Sequence, residues 1–330
     1  MRTSSRKFSP KFWPIAFSSL ALSSVALAQF KASTELVAVD ALVENKQTGV
    51  PIKSLTREDF EIYEDGVRQS ISQFSIDSVP LSVVFLFDMT DSVRPVLKPL
   101  AEGALAALGH LKASDETAVM LYSVDTRITQ AFTTDHAAVV RAIDAATHPC
   151  GGKPDLCAEA AYFNEGVFQA VTHAYKQGAA SNRKAIIWLT DNVPNIPNDT
   201  VHSQAATMEL LQETGVVVST LLERSAMSRT MVAAYSNNPI LLPFRLKNPP
   251  GSVHKYAAES GGIVIGARRE EIASKLGELI DRLRSRYTIA YRPQGQKPEG
   301  RLCKIDVKLT RAALKREGPV DIRARRGYKR

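Results

Sequence analysis

The chain has 330 residues, 44% of them hydrophobic and 23% charged, with three cysteines. That composition excludes a disordered, a collagen-like or a disulfide-stapled chain, and the length suits one large domain with a smaller addition. The formal charge is +8, and no internal stretch holds the roughly 18 uninterrupted apolar residues that a spanning helix needs.

Residues 1–28 read as a signal peptide. Arg2, Arg6, Lys7 and Lys11 give a basic start, Ile15 to Ala28 is an apolar run of 14 residues, and Ala26-Leu27-Ala28 has the small-x-small form of a cleavage site. The mature chain is expected to start at Gln29, to be exported to the periplasm or the extracellular space, and to contain no transmembrane segment. Without the leader the net charge falls to +4, divided into −7 over residues 29–267 and +11 over residues 268–330. Such a basic end suits an acidic partner, anionic lipid or a solvated face. Export makes nucleic acid the weakest candidate, and no nucleic-acid partner is expected.

Residues 29–78 form a predicted N-terminal β segment. Thr34 to Val43 is β-rich, Phe60 to Glu64 alternates, Asp65-Gly66 supplies a hairpin turn, and Val67 to Phe74 returns. Residues 79–286 change character. Leu81 to Phe87 is a near-continuous apolar run ending in Asp88, which marks a strand buried on both faces. Helix is expected over 95–111, strand over 117–124 and 128–132, then helix over 135–146 and 164–176. Strand 184–190, helix 203–214, strand 216–222, helix 253–260, strand 262–265 and helix 270–284 follow. Alternating strands and helices predict a doubly wound α/β sheet. Residues 287–330 return to strand over 287–292, 303–310 and 320–325. This C-terminal β segment is expected to pair with the N-terminal one across the α/β domain.

Cys150 and Cys157 enclose a loop containing glycine and proline, and in an oxidising compartment they are expected to form a local disulfide. Cys303 reads as a buried small hydrophobe.

In doubly wound folds ligands sit beyond the carboxyl ends of the strands. Asp88 and Asp191 each end a predicted strand. Asp88-Met89-Thr90-Asp91-Ser92 places a carboxylate and two hydroxyls at i, i+2 and i+4, a set of hard oxygen donors suited to Mg²⁺, Mn²⁺ or Ca²⁺. The same residues are also compatible with simple capping of the next helix. Asp125 and Asp135 read as a turn residue and a helix N-cap.

Asp88-x-Thr90-x-Ser92 resembles the D-x-S-x-S metal-ion-dependent adhesion site (MIDAS) of von Willebrand factor A (VWA) domains, with Thr for the first Ser. Leu189-Thr190-Asp191-Asn192 resembles that family's later T-D-G. The stretches 55–66, Phe132-Thr133-Thr134-Asp135, 287–293 and 323–328 resemble signatures of the VWFA-related family abundant in Acidobacteria. The resemblance covers essentially all of residues 34–328. It implies a Rossmann-like VWA domain between small β segments, and a metal-assisted binding protein without enzymatic activity. It further implies that Thr90 and Ser92 bind the ion directly, that Asp88 and Asp191 bind it directly or through water, and that one position stays open for a partner carboxylate. Ala161 falls where the family has a further threonine, which leaves that ligand missing or replaced by Asp155 or Glu159.

Two other classes compete with this reading. A phosphatase of the Asp-x-Asp type lacks its acid, since the third position is Thr90. G-x-S-x-G, H-E-x-x-H and G-x-x-x-x-G-K-[ST] are absent from the sequence. A scaffold with a vestigial metal site is the alternative that Ala161 favours.

Overall fold

The strand β5 (Leu81–Asp88) is buried along its whole length, as its unbroken apolar run requires, and the large sheet is built around it. A computed structural model describes residues 36–76, 79–90, 93, 96–148, 162–192, 202–224, 230, 233, 237–240, 252–295 and 297–330. The expected leader, Ser92, Cys150, Cys157, Asp155, Glu159 and Ala161 lie outside the described residues.

β5 is flanked on one side by β6 (Glu116–Tyr122) and β7 (Thr126–Thr133), and on the other by β8 (Arg183–Thr190), β9 (Val217–Glu223) and β10 (Val264–Ala267). β7 is antiparallel to β6, and the other pairings are parallel. Counted within this six-stranded sheet, the order is 3-2-1-4-5-6, the doubly wound order whose direction reverses between its first and fourth strands. Here those strands are β5 and β8.

The alternation of side chains along β5 divides the core into two layers. Val83, Phe85 and Phe87 pack with α1 (Leu97–Leu108), α2 (His136–Ala146) and α6 (Ile272–Arg284). Val84 and Leu86 pack with α3 (Phe163–Gln177), α4 (Gln204–Thr214) and α5 (Val253–Ser260). Helices on both faces explain why the strands read as continuous apolar runs rather than as alternating ones. No helix among the described residues is long and apolar enough to cross a membrane.

The flanking segments contribute β1 (Val37–Asn45), β2 (Phe60–Glu64), β3 (Val67–Gln69) and β4 (Ile71–Ile76) from one end of the chain. From the other come β11 (Tyr287–Tyr291), β12 (Leu302–Leu309), β13 (Val320–Arg323) and β14 (Gly327–Lys329). They form two four-stranded sheets, ordered β13-β1-β11-β4 and β14-β12-β2-β3, which share one apolar core. β1 pairs with β11 and β13, and β2 pairs with β12. The α/β domain enters after β4 and leaves before β11, and these two strands are neighbours with Ile76 opposite Tyr287. Its ends therefore lie side by side. The predicted run 67–74 is divided at Ser70, with β3 in one sheet and β4 in the other. A short helix not read from the sequence, α7 (Arg311–Glu317), links β12 to β13.

A buried ionic cluster joins the base of the large sheet to these strands. Arg183, at the start of β8, lies 3.0 Å from Asp40 Oδ1 and donates to the carbonyls of Leu283 and Arg286 and to the Thr288 hydroxyl. Thr288 in turn donates to Asp40 Oδ1. Burial pushes the Asp40 carboxyl up, but Arg183, Thr288 and Arg286 together bring it below the usual carboxylate value. Arg286 is fully buried and donates to the carbonyls of Asp40, Gly261 and Arg323. Burial lowers its pKa to about 10.

Candidate metal centre

Asp88 is the last residue of β5 and is wholly shielded from solvent. It shares a face of the sheet with Val84 and Leu86, since side chains repeat every two residues. On β6 the same face carries Ala118, Met120 and Tyr122, and on β8 it carries Ile186 and Trp188, followed by Thr190. The register places Tyr122 opposite Asp88 and Trp188 opposite Leu86, so the next step brings Thr190 beside Asp88. Three adjacent strands therefore present an acid, a phenol and a hydroxyl at the carboxyl-end switch point, on the α3 side.

Hydrogen bonds join them. Asp88 Oδ1 accepts from the Thr90 amide at 3.0 Å and from the Thr90 hydroxyl at 2.7 Å. Asp88 Oδ2 accepts from the Tyr122 hydroxyl at 2.8 Å and from the Thr190 hydroxyl at 2.7 Å. Tyr122 accepts in turn from the Trp188 indole N–H at 2.9 Å. Thr190 also accepts from the Asn192 amide at 3.0 Å, and Asn192 turns the chain with a positive φ of 57°, a conformation that asparagine tolerates. Asp191, between them, is buried.

Burial disfavours the charged form of Asp88 and raises its pKa above the usual carboxylate value, although the hydroxyls of Thr190, Thr90 and Tyr122 pull it down. The Tyr122 hydroxyl is pushed well above its ordinary value, by burial first and by the neighbouring Asp88 charge second. Phe163, at the start of α3, packs edge-on against Trp188, with ring centroids 5.1 Å apart. Gly166, one turn along, lies directly on Tyr122: a Cβ there would sit 2.7 Å from two of its ring carbons. α3 thus closes over the tyrosine.

Of the sequence-predicted ligands, Asp88, Thr90 and Asp191 are buried at the same end of adjacent strands, and Thr90 is hydrogen-bonded to Asp88. Ser92 lies outside the described residues. Asp135 caps α2 through the Ala137 amide, and Asp125 accepts from the Thr126 amide and pairs with Arg127. Tyr122 and Trp188 also belong to the site, and the sequence does not single them out; Thr190 belongs to the stretch that resembles T-D-G and supplies a hydroxyl to Asp88. The available signal was a tyrosine at the end of a buried strand, since a buried phenol needs a hydrogen-bond partner.

All the donors at this point are oxygens, as hard divalent cations require. A hydroxyl that donates its proton to Asp88 keeps acceptor capacity on its oxygen, so the donor set is chemically fit for such an ion. Among the described residues no group of three or more His, Cys, Asp or Glu side chains is placed to hold a metal. Any ion here would need hydroxyls and water beside the carboxylates of Asp88 and Asp191.

No family model matches the sequence, and no curated protein does. Solved structures with a similar fold include a conserved hypothetical protein BatB from Bacteroides thetaiotaomicron, at 13% identity and a TM-score of 0.43, covering 62% of this chain and 97% of that one. Another is a von Willebrand factor type A protein from Catenulispora acidiphila, at 12% identity and a TM-score of 0.41, covering 80% and 71%. A third is proximal thread matrix protein 1 from the mussel byssus with a zinc-occupied MIDAS motif, at 13% identity and a TM-score of 0.45, covering 68% and 50%.

Proposed function

We propose that this chain is an exported VWA-type binding protein, without enzymatic activity, that recognises a protein partner through an exposed acidic residue on that partner. The observation that carries the reading is the position of Asp88 and Thr90. The D-x-T-x-S stretch begins at the switch point of a doubly wound sheet, with Thr190 and Asp191 ending the strand across that switch point. Thr90 and Ser92 would contribute neutral oxygens, and Asp88 and Asp191 would supply the negative charge that offsets a cation. When bound, a divalent ion such as Mg²⁺, Mn²⁺ or Ca²⁺ supplies positive charge with one open position, which a partner carboxylate can take. The Asp88 carboxylate orients the hydroxyl of Thr90, and the buried Trp188 and Phe163 exclude bulk water from its inner side.

Thermal melting of the full chain in EDTA, and then with each ion, tests this. An ion at 100 times its Kd stabilises by about 2.7 kcal/mol, a shift of several degrees at this size. The expected result is a metal-dependent rise that Asp88→Ala abolishes. No rise with any of the three ions up to millimolar concentration would refute the metal-assisted reading. It would favour the second one, a metal-independent scaffold, for which the argument is the complete internal hydrogen bonding of Asp88.

A further inference from the structure

The four lone-pair positions of a carboxylate can accept four hydrogen bonds, and at Asp88 all four are taken. Two acceptances are from Thr90, and one is from Thr190. These partners belong to the two loop motifs and sit at the ends of their strands. The fourth donor, Tyr122, comes from a third strand and is held differently. Its oxygen receives the Trp188 N–H. Its ring is fully buried, packs edge-on to Phe163 and Trp188, and is covered by the backbone of Gly166.

A threonine hydroxyl can be redirected by rotation about χ1. A phenol oxygen cannot move without its ring. Turning only the O–H bond would leave the oxygen 2.8 Å from Asp88 Oδ2 with no proton between them, which is repulsive. An ion, or a water carried by one, can reach that side of Asp88 only if the ring shifts against Gly166 and Trp188.

We propose that Tyr122 is a latch on this centre, a positioning residue that holds one of the two acceptor positions of Asp88 Oδ2, the one that no side-chain rotation clears, against a hydrated divalent cation, and so keeps ion affinity low. The inference rests on the metal-assisted reading above. Its consequence is that removing one hydroxyl should weaken the empty protein and strengthen ion binding, two effects of opposite sign. A merely structural tyrosine would produce the first without the second.

The test is calorimetric titration of the full chain with MnCl₂ and MgCl₂, comparing the parent with Tyr122→Phe. Cleavage after Ala28, or Trp13→Phe in a chain that keeps its leader, leaves Trp188 as the one tryptophan, so fluorescence reports on the same hydrogen-bond chain. Tyr122→Phe is expected to bind either ion roughly tenfold to a hundredfold more tightly, the worth of a hydrogen bond to a charged group, and to melt at a lower temperature in EDTA. Equal or weaker affinity, with the parent binding, overturns the latch and leaves the metal reading standing. Binding by Tyr122→Phe alone supports the latch in its strongest form. Failure of both chains to bind up to millimolar ion overturns both ideas. Should Tyr122→Phe fail to fold, Trp188→Phe removes the donor that fixes the phenol. It should tighten binding by a smaller factor, and an unchanged affinity there overturns the latch.

Discussion

The packing of α3 on Tyr122 gives a prediction whose sign opposes helix propensity. Gly166 lies within α3, where exchanging glycine for alanine ordinarily stabilises a helix by about 1 kcal/mol. A Cβ at this position would lie 2.7 Å from Tyr122 Cδ2 and Cγ and 3.2 Å from Tyr122 Cβ. Carbon atoms prefer about 3.5–4.0 Å, so the shortfall approaches 1 Å. The ring cannot give way, because both hydrogen bonds of its hydroxyl and its contacts with Phe163 and Trp188 fix it. The first turn of α3 must lift instead. Overpacking of this kind costs about 1–3 kcal/mol, and a loosened Tyr122–Asp88 hydrogen bond adds about 1 kcal/mol. Gly166→Ala should therefore be destabilising by about 1–3 kcal/mol after the propensity gain is subtracted. Urea unfolding followed by tryptophan fluorescence measures it, with Gly109→Ala as the control. Gly109 follows α1 with φ −64°, and a Cβ there would meet only Ala106 O, at 3.4 Å. That exchange should stabilise by about 0.4–1 kcal/mol. If Gly166→Ala were as stable as Gly109→Ala, the account of α3 as the cover of the site would be wrong.

Other outcomes follow from the same contacts. Asp40→Asn leaves Arg183 buried without its carboxylate and should cost about 3 kcal/mol or more in urea unfolding at neutral pH. Because the folded pKa of Asp40 lies below its unfolded value, its contribution is present above about pH 3.9 and is lost as pH falls through the depressed folded value; the gap between parent and variant should close on acidification, and a constant gap would reject the ion-pair explanation. Cys303 is fully buried, so a chain with Cys150 and Cys157 paired should show no titratable thiol when native, one after unfolding and three after reduction. A native thiol titre of two would reject the expected disulfide. Gly262→Ala would drive a Cβ into the Val218 carbonyl group and should leave little folded protein in a solubility assay, because that neighbour is backbone and not the flexible end of a side chain.

The elements most legible in the sequence were those whose burial is uniform. β5 reads as a doubly buried strand because every residue is apolar or small until Asp88, and the alternation of strands with helices fixes the doubly wound class. The division of residues 67–74 between two sheets is hidden because no glycine or proline interrupts the run at Ser70, and only the pairing of β3 with β2 and of β4 with β11 separates them. The short helix α7 is hard to read from the sequence although its limits carry signals: Thr310 caps its start through the Ala313 amide, and Gly318 follows its end with φ 78°. Seven residues are too few for periodicity to register.

The site itself divides along the same line. Asp88, Thr90 and Asp191 could be named because carboxylates and hydroxyls at strand ends stand out against apolar runs. Tyr122 and Trp188 could not, because aromatic residues in strands ordinarily signify packing, and here they do both. Their polar atoms meet Asp88 through the register of three strands, in which Asp88 faces Tyr122 and Leu86 faces Trp188. A slip of β6 by one residue would turn Tyr122 to the opposite face of the sheet, among the side chains that pack on α1 and α6, and Asp88, wholly shielded from solvent, would lose a donor. The apolar stripe shared by α3, β5, β6 and β8 is thus what sets the geometry of the polar centre. Substitutions in that stripe, remote from any ligand, should alter the centre before they alter the fold.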